Sequence, residues 1–142
     1  MEQEEIDKYC LIFSEQVKRA PVLVQRKVAL AYCELIRHLL NTQGLRALKV
    51  VRELAEGKVT ERRRAIWHKR TQALIKHSKP NPYSVLTWSL HSDNSSYPPG
   101  QAASLAGTNV AELGVATYSE LSALALETLY RNNCAHNTGL PK

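Results

Sequence analysis

Apolar residues recur along the first half of the chain with a helical period. Ile6, Tyr9, Cys10, Phe13 and Val17 fall at i, i+3, i+4, i+7 and i+11, which predicts an amphipathic helix over residues 4–19. Pro21 either ends that helix or opens the next one at its first turn. Residues 22–40 then read as one long helix. Val24, Val28, Ala31, Tyr32, Leu35, Leu39 and Leu40 form its apolar face, and Arg26, Lys27, Glu34 and Arg37 its wet side. Asn41-Thr42 offers an N-cap for a third helix over 43–56, carried by Leu45, Leu48, Val51 and Ala55. Gly57 suits the left-handed position that closes a helix. Thr60 suits the cap of a fourth helix over 61–78.

The pattern breaks at residues 79–84. Asn81 before Pro82 reads as a cap followed by a first-turn proline, so 83–91 forms a short helix carrying Trp88. Residues 92–100 are rich in Ser, Asn, Pro and Gly and form the clearest loop, either a solvated connector or a mobile binding loop. Residues 101–131 return to helix, with a break near residues 107–109. Ala102, Ala103, Ala106, Gly107, Ala111, Gly114 and Ala116 are small, which lets backbones approach and places this segment centrally. Leu121, Leu124, Ala125, Leu129 and Tyr130 continue an apolar face, and residues 132–142 read as a flexible tail. The expected fold is all-α, a multi-helix bundle or helical-hairpin array of about five to six helices. It forms a single domain over 1–131, with 92–100 as an internal loop.

A length of 142 residues fits one domain that needs no staples to fold. With 44% hydrophobic residues and only six glycines and six prolines, the chain is not a disordered one. The three cysteines, Cys10, Cys33 and Cys134, are odd in number and widely spaced. They read as buried apolar residues in a reducing compartment, not as a disulfide framework. The acidic start, Glu2, Glu4 and Glu5, is unlike a secretory signal, and no run of about eighteen apolar residues exists. A cytoplasmic protein that does not enter the membrane is expected.

Charge changes the picture. Residues 44–80 hold eleven Lys/Arg against three Asp/Glu, whereas residues 1–43 balance and residues 81–142 are slightly acidic. The net charge of +6 therefore comes from one segment. On a helical wheel Arg62, Lys69 and Lys76 make one line, and Arg63, Arg70 and His77 a second about 100° away. Arg46, Lys49, Arg52 and Lys58 add charge from the preceding hairpin partner, and Trp67 offers an aromatic surface. Nine candidates among these, Arg46, Lys49, Arg52, Arg62, Arg63, Trp67, Lys69, Arg70 and Lys76, would hold either a protein partner or nucleic-acid phosphates. Alternatively the cations snorkel over apolar surface and Trp67 belongs to the core.

No zinc-finger spacing, RNP-type strand or GXXG loop supports nucleic acid, although a helix-turn-helix fits loosely within 43–78. None of the five histidines pairs with another at i+3 or i+4, so no metal site is expected. No Gly-rich phosphate loop, nucleophile elbow or H-E-x-x-H helix is present, so neither an enzyme nor a cofactor is expected. The weaker enzymatic rival would use His91 and Asp93 beside the serine-rich loop.

Residues 45–67 carry one resemblance. Arg46-Ala47-Leu48, Leu54-Ala55 and Gly57, followed by Thr60-Glu61, resemble a bacterial helical module of unknown function found in planctomycete proteins. There, a helix of the type RALEVAERYADG meets a second helix opened by T-x-E-E. The run Arg62-Arg63-Arg64 departs from the acidic residues of that module. The resemblance implies a helical fold and no activity. The sequence thus leads to a non-enzymatic interaction module for a protein partner, possible within a multi-subunit complex. The rival reading is a basic subunit contacting nucleic acid in a ribonucleoprotein or defence complex.

Overall fold

The computed structural model describes residues 2–75 and 81–134. Among them the chain forms seven α-helices and no strand: α1 (Glu2–Glu15), α2 (Val22–Leu35), α3 (Thr42–Ala55), α4 (Glu61–Leu74), α5 (Pro82–Ser89), α6 (Pro99–Glu112) and α7 (Tyr118–Arg131). The all-α expectation holds, with more and shorter helices than the periodicity suggests. The first two elements each end in a separate 3₁₀ turn, Val17–Arg19 and Arg37–Leu39, which continues the apolar pattern without continuing the α-helix. Leu39 is consequently exposed. The expected tail beyond residue 134, and residues 76–78 of the expected fourth helix, lie outside the described residues.

Local capping chemistry sets most boundaries. Asn41 accepts from the Gly44 amide, Thr60 from Arg63 and Asn81 from Tyr83, with Pro82 in the first turn of α5. Gly57 closes α3 with φ +74°. The last segment differs from expectation. Its break is not at residues 107–109 but at 113–117, where Gly114 takes φ +73° and Thr117 with Glu120 forms a capping box that opens α7. Pro99 and Gly100, expected in the loop, are already in α6. Residues 132–134, expected to begin the tail, close α7. The Cys134 amide donates to the Leu129 carbonyl at 2.8 Å, and Lys27 Nζ donates to Asn132 Oδ1 at 3.0 Å.

Helix α2 is the central element: it packs on α3, α5, α6 and α7, while α1 packs on α7. These long-range contacts close the chain into a bundle, where a helical-hairpin array would keep each helix to its sequence neighbours. One apolar cluster runs through it, from Tyr9 and Phe13 through Val28, Tyr32 and Leu48 to Leu86, Val110, Leu121 and Leu129. The small residues of α6 do lie centrally: Gly107 sits against Tyr9 and Tyr32. Tyr9 Oη donates to the Ser104 carbonyl at 2.6 Å and Tyr32 Oη to the Leu121 carbonyl at 2.8 Å, tying α1 to α6 and α2 to α7. Burial holds both phenols above their ordinary range.

The cysteines divide. Cys33 is buried against Ser89, and burial pushes its thiol up to about 12. Cys134 is half-buried, and Cys10 is exposed, off the buried face that the apolar stripe assigned to it. Among the described residues no helix is long and apolar enough to cross a membrane.

Candidate functional site

Helix α4 has no continuous apolar stripe. The side chains it turns inward are Arg64, His68 and Thr71, at i, i+4 and i+7, flanked by half-buried Trp67 and Leu74. Thr71 meets Thr87 of α5, with the Thr87 hydroxyl donating at 3.0 Å. His68 meets His91 edge to face, with ring centroids 4.7 Å apart. A polar seam therefore joins α4 to α5, and the outward face of α4 carries the cations.

The sequence-predicted site residues fall into different local settings. Arg52 bonds Glu34 of α2 at 2.6 Å, and Arg63 bonds Glu53 of α3 at 2.9 Å. Their charge is thus partly neutralised locally and not available in full to a ligand. Arg46, Lys49, Arg62, Lys69 and Arg70 are exposed and have no carboxylate within bridging distance among the described residues. Trp67 packs against the core, and the guanidinium of Arg70 lies 4.9 Å from its ring centre. Lys76 lies outside the described residues. Arg62 and Lys69 remain together on the outward strip of α4, with Ile66 between them, 41% exposed.

Two arginines that sequence reasoning left out occupy the most constrained positions. Arg26, assigned to the wet side of its helix, is 5% exposed, and Arg64 is 9% exposed. Arg26 donates to the carbonyls of Ser89 and His91, at 3.4 and 3.0 Å, and to the carboxylate of Asp93. Arg64 donates to the Leu90 carbonyl and, at 2.8 Å, to the carboxylate of Glu61. Three successive carbonyls at the C-terminal end of α5 thus face two guanidiniums, where the helix dipole favours positive charge. The hydrogen bond from Arg64, helped by its charge, holds the Glu61 carboxyl below its usual range.

Beyond α5 the aromatic groups of the loop gather. His91 stacks on Trp88 with centroids 4.7 Å apart, and Tyr97 sets its edge against Trp88 at 5.0 Å. His91 Nδ1 is 3.4 Å from the Ser95 hydroxyl. His91 and Asp93, the pair of the enzymatic rival, share no hydrogen bond, since Asp93 is turned to Arg26. Among the described residues no three His, Cys, Asp or Glu side chains are grouped to hold a metal ion.

Burial, with the nearby positive charge of His68, Arg64 and Arg26, lowers His91 to about 4. His68 is lowered too, by burial and then by Arg64. The unfolded chain therefore binds protons more readily than the fold as pH drops through the ordinary histidine value. Stability is full above that value and falls as pH goes from about 6.5 towards 4. Because solvent reaches part of the His91 ring and screens those charges, its share is about 1 kcal/mol. Urea unfolding at pH 7.5 and pH 5 measures it: the loss should shrink in His91→Phe. An equal loss in both proteins would show that His91 is not its source.

Comparison with known proteins adds no relative: no family model, no curated protein and no solved structure matches the chain.

Proposed function

We propose that this chain is a non-enzymatic helical interaction module whose outward α4 face receives an acidic, partly apolar segment of a protein partner. The observation that carries this reading is the strip Arg62, Ile66 and Lys69, at i, i+4 and i+7. Two cations there, unpaired among the described residues, flank an isoleucine left 41% exposed. A phosphate backbone gains nothing from an exposed isoleucine, whereas an acidic amphipathic helix would cover it and pair with both cations. Trp67 argues the same way. Its ring leans on the core and lies beneath Arg70, so it does not present an open face for a nucleobase.

Fluorescence anisotropy with two probes tests the reading: a helical peptide of Glu and Leu at heptad spacing, and a single-stranded oligonucleotide of equal charge. The peptide should bind the tighter of the two, and Arg62→Glu with Lys69→Glu should weaken it about tenfold or more. Ile66→Asp should do the same. An oligonucleotide that binds tighter, with affinity collapsing between about 50 and 200 mM salt, would establish the nucleic-acid reading instead.

A further inference from the structure

We propose that the groove between the start of α2, the α3–α4 link and the loop after α5 binds a free apolar α-amino acid. In this arrangement the ligand carboxylate meets Arg26 and Arg64, and its ammonium meets Glu61 and Asp93. This site lies on the inner side of α4 and does not depend on the outward strip described above.

The groove holds about 400 Å³, within the roughly 300–1,000 Å³ of small-molecule sites. Size alone does not single it out. What does is a pair of buried guanidiniums lining an open wall. Each guanidinium carries five N–H donors, and the protein acceptors use only some of them. Arg26 Nε and Arg64 Nη2 have no acceptor among the described residues. Both groups are fixed by backbone carbonyls of α5 and the following turn, so little further ordering is needed when an anion arrives.

The charge balance selects the ligand class. Beside the two guanidiniums stand two carboxylates, Glu61 and Asp93, whose side chains are 66% and 56% exposed. A simple carboxylate or phosphate would gain from the arginines and be repelled by these acids. A zwitterion satisfies both signs. The same groove is also lined by Leu54, Val59 and Leu23, the last left 44% exposed at the start of α2. An aliphatic side chain would cover Leu23 and remove apolar surface from water. A similar-sized groove against Phe13 and Pro98 has one buried amide, that of Gln25, and no buried charge, so it lacks this selectivity.

Isothermal titration calorimetry on the full chain tests the proposal with three probes: L-leucine, leucinamide, which lacks the carboxylate, and N-acetyl-leucine, which lacks the ammonium. Leucine should bind, and each analogue should bind about tenfold more weakly or worse. Because arginine variants here endanger folding, the protein-side test uses the exposed rim. Asp93→Asn and Leu23→Asp should each weaken leucine several-fold while circular dichroism shows an intact helical fold. No heat with leucine at millimolar concentration would overturn the proposal. Analogues binding as well as leucine, or rim variants without effect, would overturn it as well. Leucine binding that survives Arg62→Glu and Lys69→Glu separates this site from the outward face.

Discussion

Gly107→Ala should destabilise the protein by about 3 kcal/mol, although alanine is the better helix former by about 1 kcal/mol. Gly107 lies inside α6, and a Cβ there would stand 2.1 Å from Tyr9 Oη and 2.8 Å from Tyr32 Cε2. Neither ring can yield cheaply. Tyr9 is held by its bond to the Ser104 carbonyl and by contact with Phe13 and Tyr118, at centroid distances of 4.8 and 5.3 Å. Tyr32 is held from α7 through the Leu121 carbonyl. The added methyl must therefore push α6 away from α1 and α2, opening the centre of the core. Urea unfolding gives the cost directly. Tyr9→Phe removes the oxygen that clashes and keeps the ring, so the double variant should lose less than the sum of the singles. Wild-type stability in Gly107→Ala would show that the helices are not in close contact there.

The same glycine shows what the sequence can and cannot tell. The run of small residues from Ala102 to Ala116 marks close packing, and that reading is correct for Gly107. Taking the same glycine as a helix break is not: a glycine inside a helix and a glycine that ends one look alike until the partner surface is known. Gly114 ends α6, and the signal for it was present in Thr117 and Glu120, a capping box three residues on. Caps at Asn41, Thr60 and Asn81 were readable because each bond spans two or three residues. The polar seam of α4 was not readable. A helix without an apolar stripe says only that something polar must face inward. Its partners, the Leu90 carbonyl and the ring of His91, are supplied by residues more than twenty positions away. The basic face was legible as charge and illegible as geometry, because Glu34 and Glu53 reach Arg52 and Arg63 only once the helices pack. Buried Arg26 was the furthest from view, since periodicity assigns any arginine to the solvent side.

Arg26→Met should cost about 3–5 kcal/mol, the scale expected when one member of a buried charged network is removed. Methionine keeps most of the side-chain volume, so the loss would not be that of a cavity. It would come from the Ser89 and His91 carbonyls, which lose a guanidinium donor inside the fold; each buried group left unpaired costs about 1–3 kcal/mol. Asp93 is the useful control. It bonds the same guanidinium but is 56% exposed, so Asp93→Asn should cost about 1 kcal/mol or less, water replacing what is lost. Arg26→Lys should fall between the two, because an ammonium keeps the charge but cannot span the same fork of acceptors. Helix α5 makes the ranking sharp. It is only eight residues long, and its last carbonyls depend on cations from α2 and α4 in place of a glycine cap. The stack of His91 on Trp88 begins where those carbonyls end, so Arg26→Met should also change Trp88 fluorescence at urea concentrations below the global transition. If Arg26→Met and Asp93→Asn cost the same, the ion pair and not the carbonyls would be what holds α5 to α2.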